Sequence, residues 1–279
     1  MPIEQWRKQH PLESPIWKIH QAERHIEAIN QYVHLWESLE PNGMRRHLNA
    51  DNTFYEYTLV AIYPPLIDFG IAIGEFAYQL RSALDQIVYA MSLFPTNLRG
   101  NALESAERST SFPIMRSRDD DRIWSLLQYV PENIRGRAWE AINLVQPYQR
   151  GSTAEQDPLA LLDQMNIRDK HRILAPATSG FTIDQMNIDP RIQTMQGSVK
   201  NGDIVARVPA DLDPEADFDR RITRVITIPI TRPTGGIQLA RIAEIYACVA
   251  FDVLPRFFDL FEPLPAAVRV PSPADSQER

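Results

Sequence analysis

The sequence predicts an α+β protein, mainly helical: a bundle of about five helices with a small antiparallel sheet packed at one side. Three observations predict it. Apolar residues recur at helical spacing along several long stretches. Two other stretches, residues 44–63 and 176–230, alternate instead and are bounded by Pro, Gly and Asn. The composition, 44% hydrophobic and 23% charged over 279 residues, is that of a chain able to bury a core.

The elements follow in order. Ser14-Pro15 reads as N-cap and first turn of a helix whose apolar positions are Ile16, Ile19, Ile26, Ile29, Val33 and Trp36. Pro41-Asn42-Gly43 ends it. Residues 44–63, with NADN between two alternating runs, read as a β-hairpin. After Pro64-Pro65 a long helix is predicted over about 66–94, with Phe76, Leu80, Ala83, Leu84, Ile87 and Met91 as its buried stripe. Gly70 and Gly74 lie one turn apart on it, which predicts close approach to a neighbour. Residues 96–118 read as polar loop around the segment SFPIM. Asp119-Asp120-Asp121 reads as a helix cap rather than a metal site. Further helices are predicted over about 131–145 and, from Asp157-Pro158, over about 158–173. Then come a strand, the turn Lys200-Asn201-Gly202-Asp203 and a strand within 191–208, and a half-buried strand over 222–230. Gly235-Gly236 breaks that strand, and a last helix runs over about 237–261.

The domain expectation is a helical core over 1–175 carrying the hairpin, a β-rich insertion over 176–236, a C-terminal helix over 237–261 completing the bundle, and an extended tail over 262–279 bearing Pro263, Pro265, Pro271 and Pro273.

Composition excludes several function classes. The net charge is −7, so a strong non-specific grip on nucleic acid is not expected. One Cys, Cys248, leaves no disulfide framework and no cysteine-rich zinc site. The N-terminus lacks the apolar core of a secretory signal, and the uncharged run from Tyr57 to Ile67 is about half of the roughly 20 residues a membrane helix needs. A cytoplasmic protein without membrane contact is therefore expected. Phosphate-cradling glycine loops, a nucleophile elbow and zinc-helix histidine pairs are all missing, so neither cofactor nor metal is expected. The acidic run from Asp211 to Asp219 has Ala216 and Ile222 where a calcium loop needs Gly and Glu, and reads as solvated loop.

Four polar clusters interrupt apolar stretches. Arg81, Asp85 and Tyr89 share one face of the long helix, with Arg81 and Asp85 able to pair. Phe112-Pro113-Ile114 is the second, Gln146-Pro147-Tyr148 the third. In the fourth, Asn166, Asp169 and Lys170 share a face, followed by His171 and Arg172. Arg168, Lys170 and Arg172 gather positive charge at a helix C-terminus, which serves as a cap or as an anion pocket with His171 as proton donor or acceptor.

In this order, over about residues 74–174, the clusters resemble an uncharacterised family of bacterial proteins with an R-x-x-L-D helix, an F-P-I segment, a Q-P-Y turn and an N-x-x-D-K-H-R helix. That resemblance implies a fold and a shared site. The chain is also similar to the HEPN superfamily of helical bundles, often dimeric, metal-independent ribonucleases of toxin and phage-defence systems with an R-x(4–6)-H helix; Asn166 and His171 keep that spacing with Asn in place of Arg.

Two functions are expected from this. The first is a helical-bundle binding or regulatory protein of bacterial type, in defence or stress response, using an Arg/Asp/His cluster of Arg81, Asp85, Tyr89, Tyr148, Asp169 and Lys170. The second, implied by the HEPN likeness, is a ribonuclease with His171 as general acid/base, Arg172 and Lys170 on the phosphate and Asn166 orienting the substrate. The partners these readings admit are a second copy of the chain and RNA or a small anion at a local basic site.

Overall fold

Helix α1 (Glu13–Ser38) opens the computed structural model, which describes residues 10–38, 42–61, 67–93, 101–108, 111–170, 174, 177–183, 189–194, 202–212, 222–231 and 235–261. Ser14 is already inside the helix. It does not cap it; its Oγ donates to Gln86 Oε1 at 2.8 Å. The first turn is fastened by His10 and Leu12, whose carbonyls accept from Glu13 and Ile16.

The hairpin forms as β1 (Asn42–Leu48) and β2 (Phe54–Ala61), paired antiparallel. Asn49 closes it, its Oδ1 accepting the Thr53 and Phe54 amides at 2.8 and 3.1 Å. Helix α2 (Ile67–Leu93) buries the whole stripe from Phe76 to Met91. Gly74 on α2 meets the expectation of close approach, since an added Cβ would run into the Asp169 carboxylate.

Residues 96–118 are not all loop: α3 (Asn101–Arg108) lies within them. Its sequence, NALESAER, has Ala102, Leu103 and Ala106 at helical spacing, but eight residues are too short a run for that spacing to stand out. Helix α4 (Asp120–Leu126) has Asp119 as its cap, accepting the Arg122 amide at 3.0 Å, while Asp120 pairs with Arg118. Helix α5 (Glu132–Leu144) follows Pro131. Tight turns over Pro147–Gln156 are interrupted at Gly151, whose φ of +58° suits glycine. Helix α6 (Pro158–Asp169) has Pro in its first turn and Asp157 as cap, accepting the Leu159 amide at 2.9 Å.

The strands after α6 are β3 (Ala177–Ile183), β4 (Gln193–Thr194), β5 (Ile204–Pro209), β6 (Ile222–Thr231) and β7 (Gly235–Gln238). They correct the expected single sheet. One sheet has the order β1-β2-β5-β4 and a second the order β3-β6-β7, both antiparallel. Gly235-Gly236 does not separate strand from helix, because β7 begins there. The last helical stretch therefore starts at Arg241, with α7 (Arg241–Ala247), a wide π-type segment Cys248–Val253 and a tight one Leu254–Phe261. Pro255 has no amide to continue the α-helical ladder, which accounts for a change of pitch at this point.

The chain divides into two units. One comprises residues 1–26, 74–171 and 241–279; the other comprises residues 27–73 and 172–240. The hairpin thus groups with the later strands and not with the helical core. The strand-bearing unit has its own apolar cluster of Tyr57, Leu59, Val205, Ala206 and Val208, and Tyr32 stacks on Phe69. Residues 171–173, residues 195–201 with Lys200 and Asn201 of the expected turn, the acidic residues 213–219 and the tail 262–279 lie outside the described residues, while Gly202 of that turn has a φ of +94°. Among those described, no helix is long and apolar enough to cross a membrane.

Candidate functional site

The helical unit joins three of the four clusters into one latch. Residues 111–115 run beside α2 without regular structure, so their backbone groups need partners. Arg81 Nη2 donates to the Phe112 carbonyl at 2.7 Å and to Ser111 Oγ at 2.7 Å. Asp85 Oδ1 accepts the Phe112 amide at 2.7 Å and lies 2.9 Å from Arg81 Nη2. From the other side, Gln146 Oε1 accepts the Met115 amide at 2.9 Å, and its Nε2 donates to the carbonyls of Pro113 and Ile142 at 2.9 and 3.1 Å. The Tyr148 amide donates to the Met115 carbonyl. Phe112, buried by this grip, meets Phe257 edge-on at 6.3 Å. R-x-x-L-D, F-P-I and Q-P-Y are thus three parts of one structural device.

Beside the latch is a cleft of about 450 Å³. One wall is a face of α2, where Tyr78, Arg81, Ser82, Asp85, Gln86 and Tyr89 follow one another at helical spacing. The facing residues are Asn166 on α6 and Lys170 just past its end, again one turn apart. The volume lies within the roughly 300–1,000 Å³ of small-molecule sites. Burial raises the pKa of Asp85, against the pull of Arg81, the Phe112 amide and the charge of Lys170. Outside the lining, the Lys18 ammonium sits 5.4 Å over the Tyr78 ring.

Of the expected site residues, Arg81, Asp85, Tyr89, Asn166 and Lys170 meet at this cleft. Two do not. Asp169 lies against Gly74, where burial and then the nearby Glu75 raise its pKa. Tyr148 is committed elsewhere, with its hydroxyl donating to Asn143 Oδ1 and burial raising its pKa. His171 and Arg172, on which the ribonuclease roles rest, lie outside the described residues. Sequence reasoning missed Tyr78, Ser82 and Gln86. Their signal is the i, i+3 spacing to Arg81, Asp85 and Tyr89 on a helix the sequence already shows.

No family model, no curated protein and no solved structure matches the chain. The cleft's own chemistry is the guide to its ligand. Arg81 is 12% exposed and its guanidinium already serves Ser111, Phe112 and Asp85, so it holds structure more than it offers charge. Lys170 is exposed, and among the described residues no carboxylate lies within ion-pair distance of it. Ser82, Gln86 and Asn166 add neutral donors and acceptors. Among the described residues no three His, Cys, Asp or Glu side chains gather closely enough to hold a metal ion.

Proposed function

We propose that the chain is a helical binding or regulatory protein that holds a small anionic ligand in the cleft between α2 and the end of α6. The observation that carries this is Lys170, an ammonium placed at a cleft of ligand size with no carboxylate, among the described residues, in ion-pair contact with it. A charge so placed makes shorter and stronger hydrogen bonds to an incoming carboxylate or phosphate than a neutral donor would. The neutral groups of Ser82, Gln86 and Asn166 would fix the ligand's orientation. A part in defence or stress response belongs to this proposal through the sequence resemblance.

The test is ligand-dependent stability. Phosphate, sulfate and short mono- and dicarboxylates are titrated against the purified chain by thermal unfolding. An anion present at about a hundred times its Kd adds about 2.7 kcal/mol to the folded state. The expected result is stabilisation by at least one anion that Lys170→Gln abolishes without unfolding the apo chain. No stabilisation by any of them overturns the reading.

The second reading, a ribonuclease, is favoured by one observation: Asn166 and Lys170 border the cleft, and His171 follows Lys170 in the chain. RNA cleavage in chelator, lost in His171→Ala with an unchanged circular dichroism spectrum, would put this reading in place of the first.

A further inference from the structure

We propose that the ligand of this cleft is a small zwitterion, with its carboxylate on Lys170 and its ammonium on the Oδ2 atom of Asp85. The proposal rests on the anion-binding reading above and narrows it.

The argument starts from how Asp85 is used. Both of its close contacts, the Phe112 amide at 2.7 Å and Arg81 Nη2 at 2.9 Å, fall on Oδ1. Among the described residues, Oδ2 accepts no hydrogen bond, and the Asp85 side chain remains 35% exposed along the cleft wall. The latch thus consumes one oxygen of this carboxylate and leaves the other to the cleft.

Arg81 pairs with Oδ1 and directs its other hydrogen bonds to Ser111 and the Phe112 carbonyl, so none of them is spent on Oδ2. Lys170 acts on Asp85 through its charge but is not in ion-pair contact with it. Among the described residues, the charged groups the cleft offers a ligand are therefore one carboxylate oxygen and one ammonium, not in ion-pair contact with each other.

A ligand carrying negative charge alone would bring that charge toward Asp85 as well as toward Lys170, and the two interactions oppose each other. A ligand with both signs is attracted at each end. Charge complementarity of this kind selects between ligands more than it raises affinity overall. The hydroxyl and amide groups of Ser82 and Gln86 lie along the same wall and suit the polar edge of such a molecule.

Matched pairs test this. Propionate, butyrate and valerate are compared by isothermal titration calorimetry with β-alanine, γ-aminobutyrate and δ-aminovalerate. Each pair shares a carboxylate and a chain length and differs in one ammonium. The expected result is that at least one amino acid binds about tenfold or more tighter than its plain partner, the scale of a charge-assisted hydrogen bond. Asp85→Asn keeps the Oδ1 acceptor for Phe112 and removes the charge. It should erase that ratio while plain acids bind no more weakly. Lys170→Gln should weaken both series.

Plain acids that bind as tightly as the amino acids in the unmutated chain overturn the zwitterion and leave anion binding standing. Absence of binding in both series overturns the zwitterion, while anion binding is overturned only if phosphate, sulfate and the dicarboxylates also fail to stabilise the chain. The ratio is read on the unmutated chain, so the test stands even if a variant fails to fold.

Discussion

Gln146 is 1% exposed, and its single amide group closes three hydrogen bonds, two of which hold residues 113–115. Gln146→Ala leaves the Met115 amide and the Pro113 carbonyl buried without partners. At about 1–3 kcal/mol for each such group, a loss of roughly 2–4 kcal/mol is expected, read as a lower urea midpoint with little change in slope. In the sequence Gln146-Pro147-Tyr148 is visible as a polar interruption of an apolar stretch. Its partners, 31 and 33 positions upstream, are not, because nothing in local periodicity records a contact at that separation. His10 shows the same limit. It is buried, its Nδ1 accepts the Leu12 amide, and it lies near the rings of Phe258 and Phe261 at the far end of the chain. Burial lowers its pKa, with Glu13 opposing.

Helix starts are legible because their chemistry is local. Asp119 and Asp157 cap the helices they precede, each within three residues of the amide it accepts. Asp157 does more than cap, since Arg150 Nε lies 3.3 Å from its Oδ2 and the side chain is 5% exposed. Asp157→Ala is therefore expected to cost about 1–2 kcal/mol, the upper part of the range for a lost cap, by chemical denaturation. Asp157→Asn should recover about half of that by restoring the acceptor. The last helix marks where periodicity misleads. Of the stripe that spacing predicts, Ile242, Ile245, Val249, Val253, Phe257 and Leu260 are buried and Tyr246 is half-buried. A stripe reports which side is covered and is insensitive to a change of pitch, so the π-type and tight segments from Cys248 to Phe261 leave no mark in it. In α3 the difficulty is length, since eight residues hold only three apolar positions, Ala102, Leu103 and Ala106, to read a stripe from.

At the scale of the whole molecule, alternation identifies the strands and cannot pair them. Period-two patterning says which face a residue takes and leaves the neighbouring strand open. The expected single sheet is two because β2 pairs with β5, some 150 residues away, while β3 pairs with β6. The stability of the fold should also depend on pH at the alkaline end. Tyr246 is pushed up to about 12 from 10.0, by burial first and then by Glu23. Cys248 is pushed up to about 12 from 9.0, by burial first and then by Asp157 and Asp252. Both groups hold their protons more tightly folded than unfolded, so their contribution is complete below pH 9 and is lost as pH rises from 9 to 12. The urea midpoint should fall across that window, and Tyr246→Phe should flatten the part above pH 10. At pH 8 Cys248 should react slowly with iodoacetamide in the native chain and readily in urea, because the thiolate is the reactive form.

The grip on residues 111–115 takes hold of main-chain atoms in a fixed order: amide and carbonyl of Phe112, carbonyl of Pro113, amide and carbonyl of Met115. Such a segment is read by phase, not by spelling. Inherited change should accumulate at residues 112–115 as exchanges of similar bulk, since Asp85 and Gln146 hold main-chain groups there and the one side chain touched by Arg81 in the segment is that of Ser111. A single residue gained or lost within the segment would set carbonyl against carboxylate and amide against guanidinium. The spacing of these five residues is therefore something descent is not free to edit.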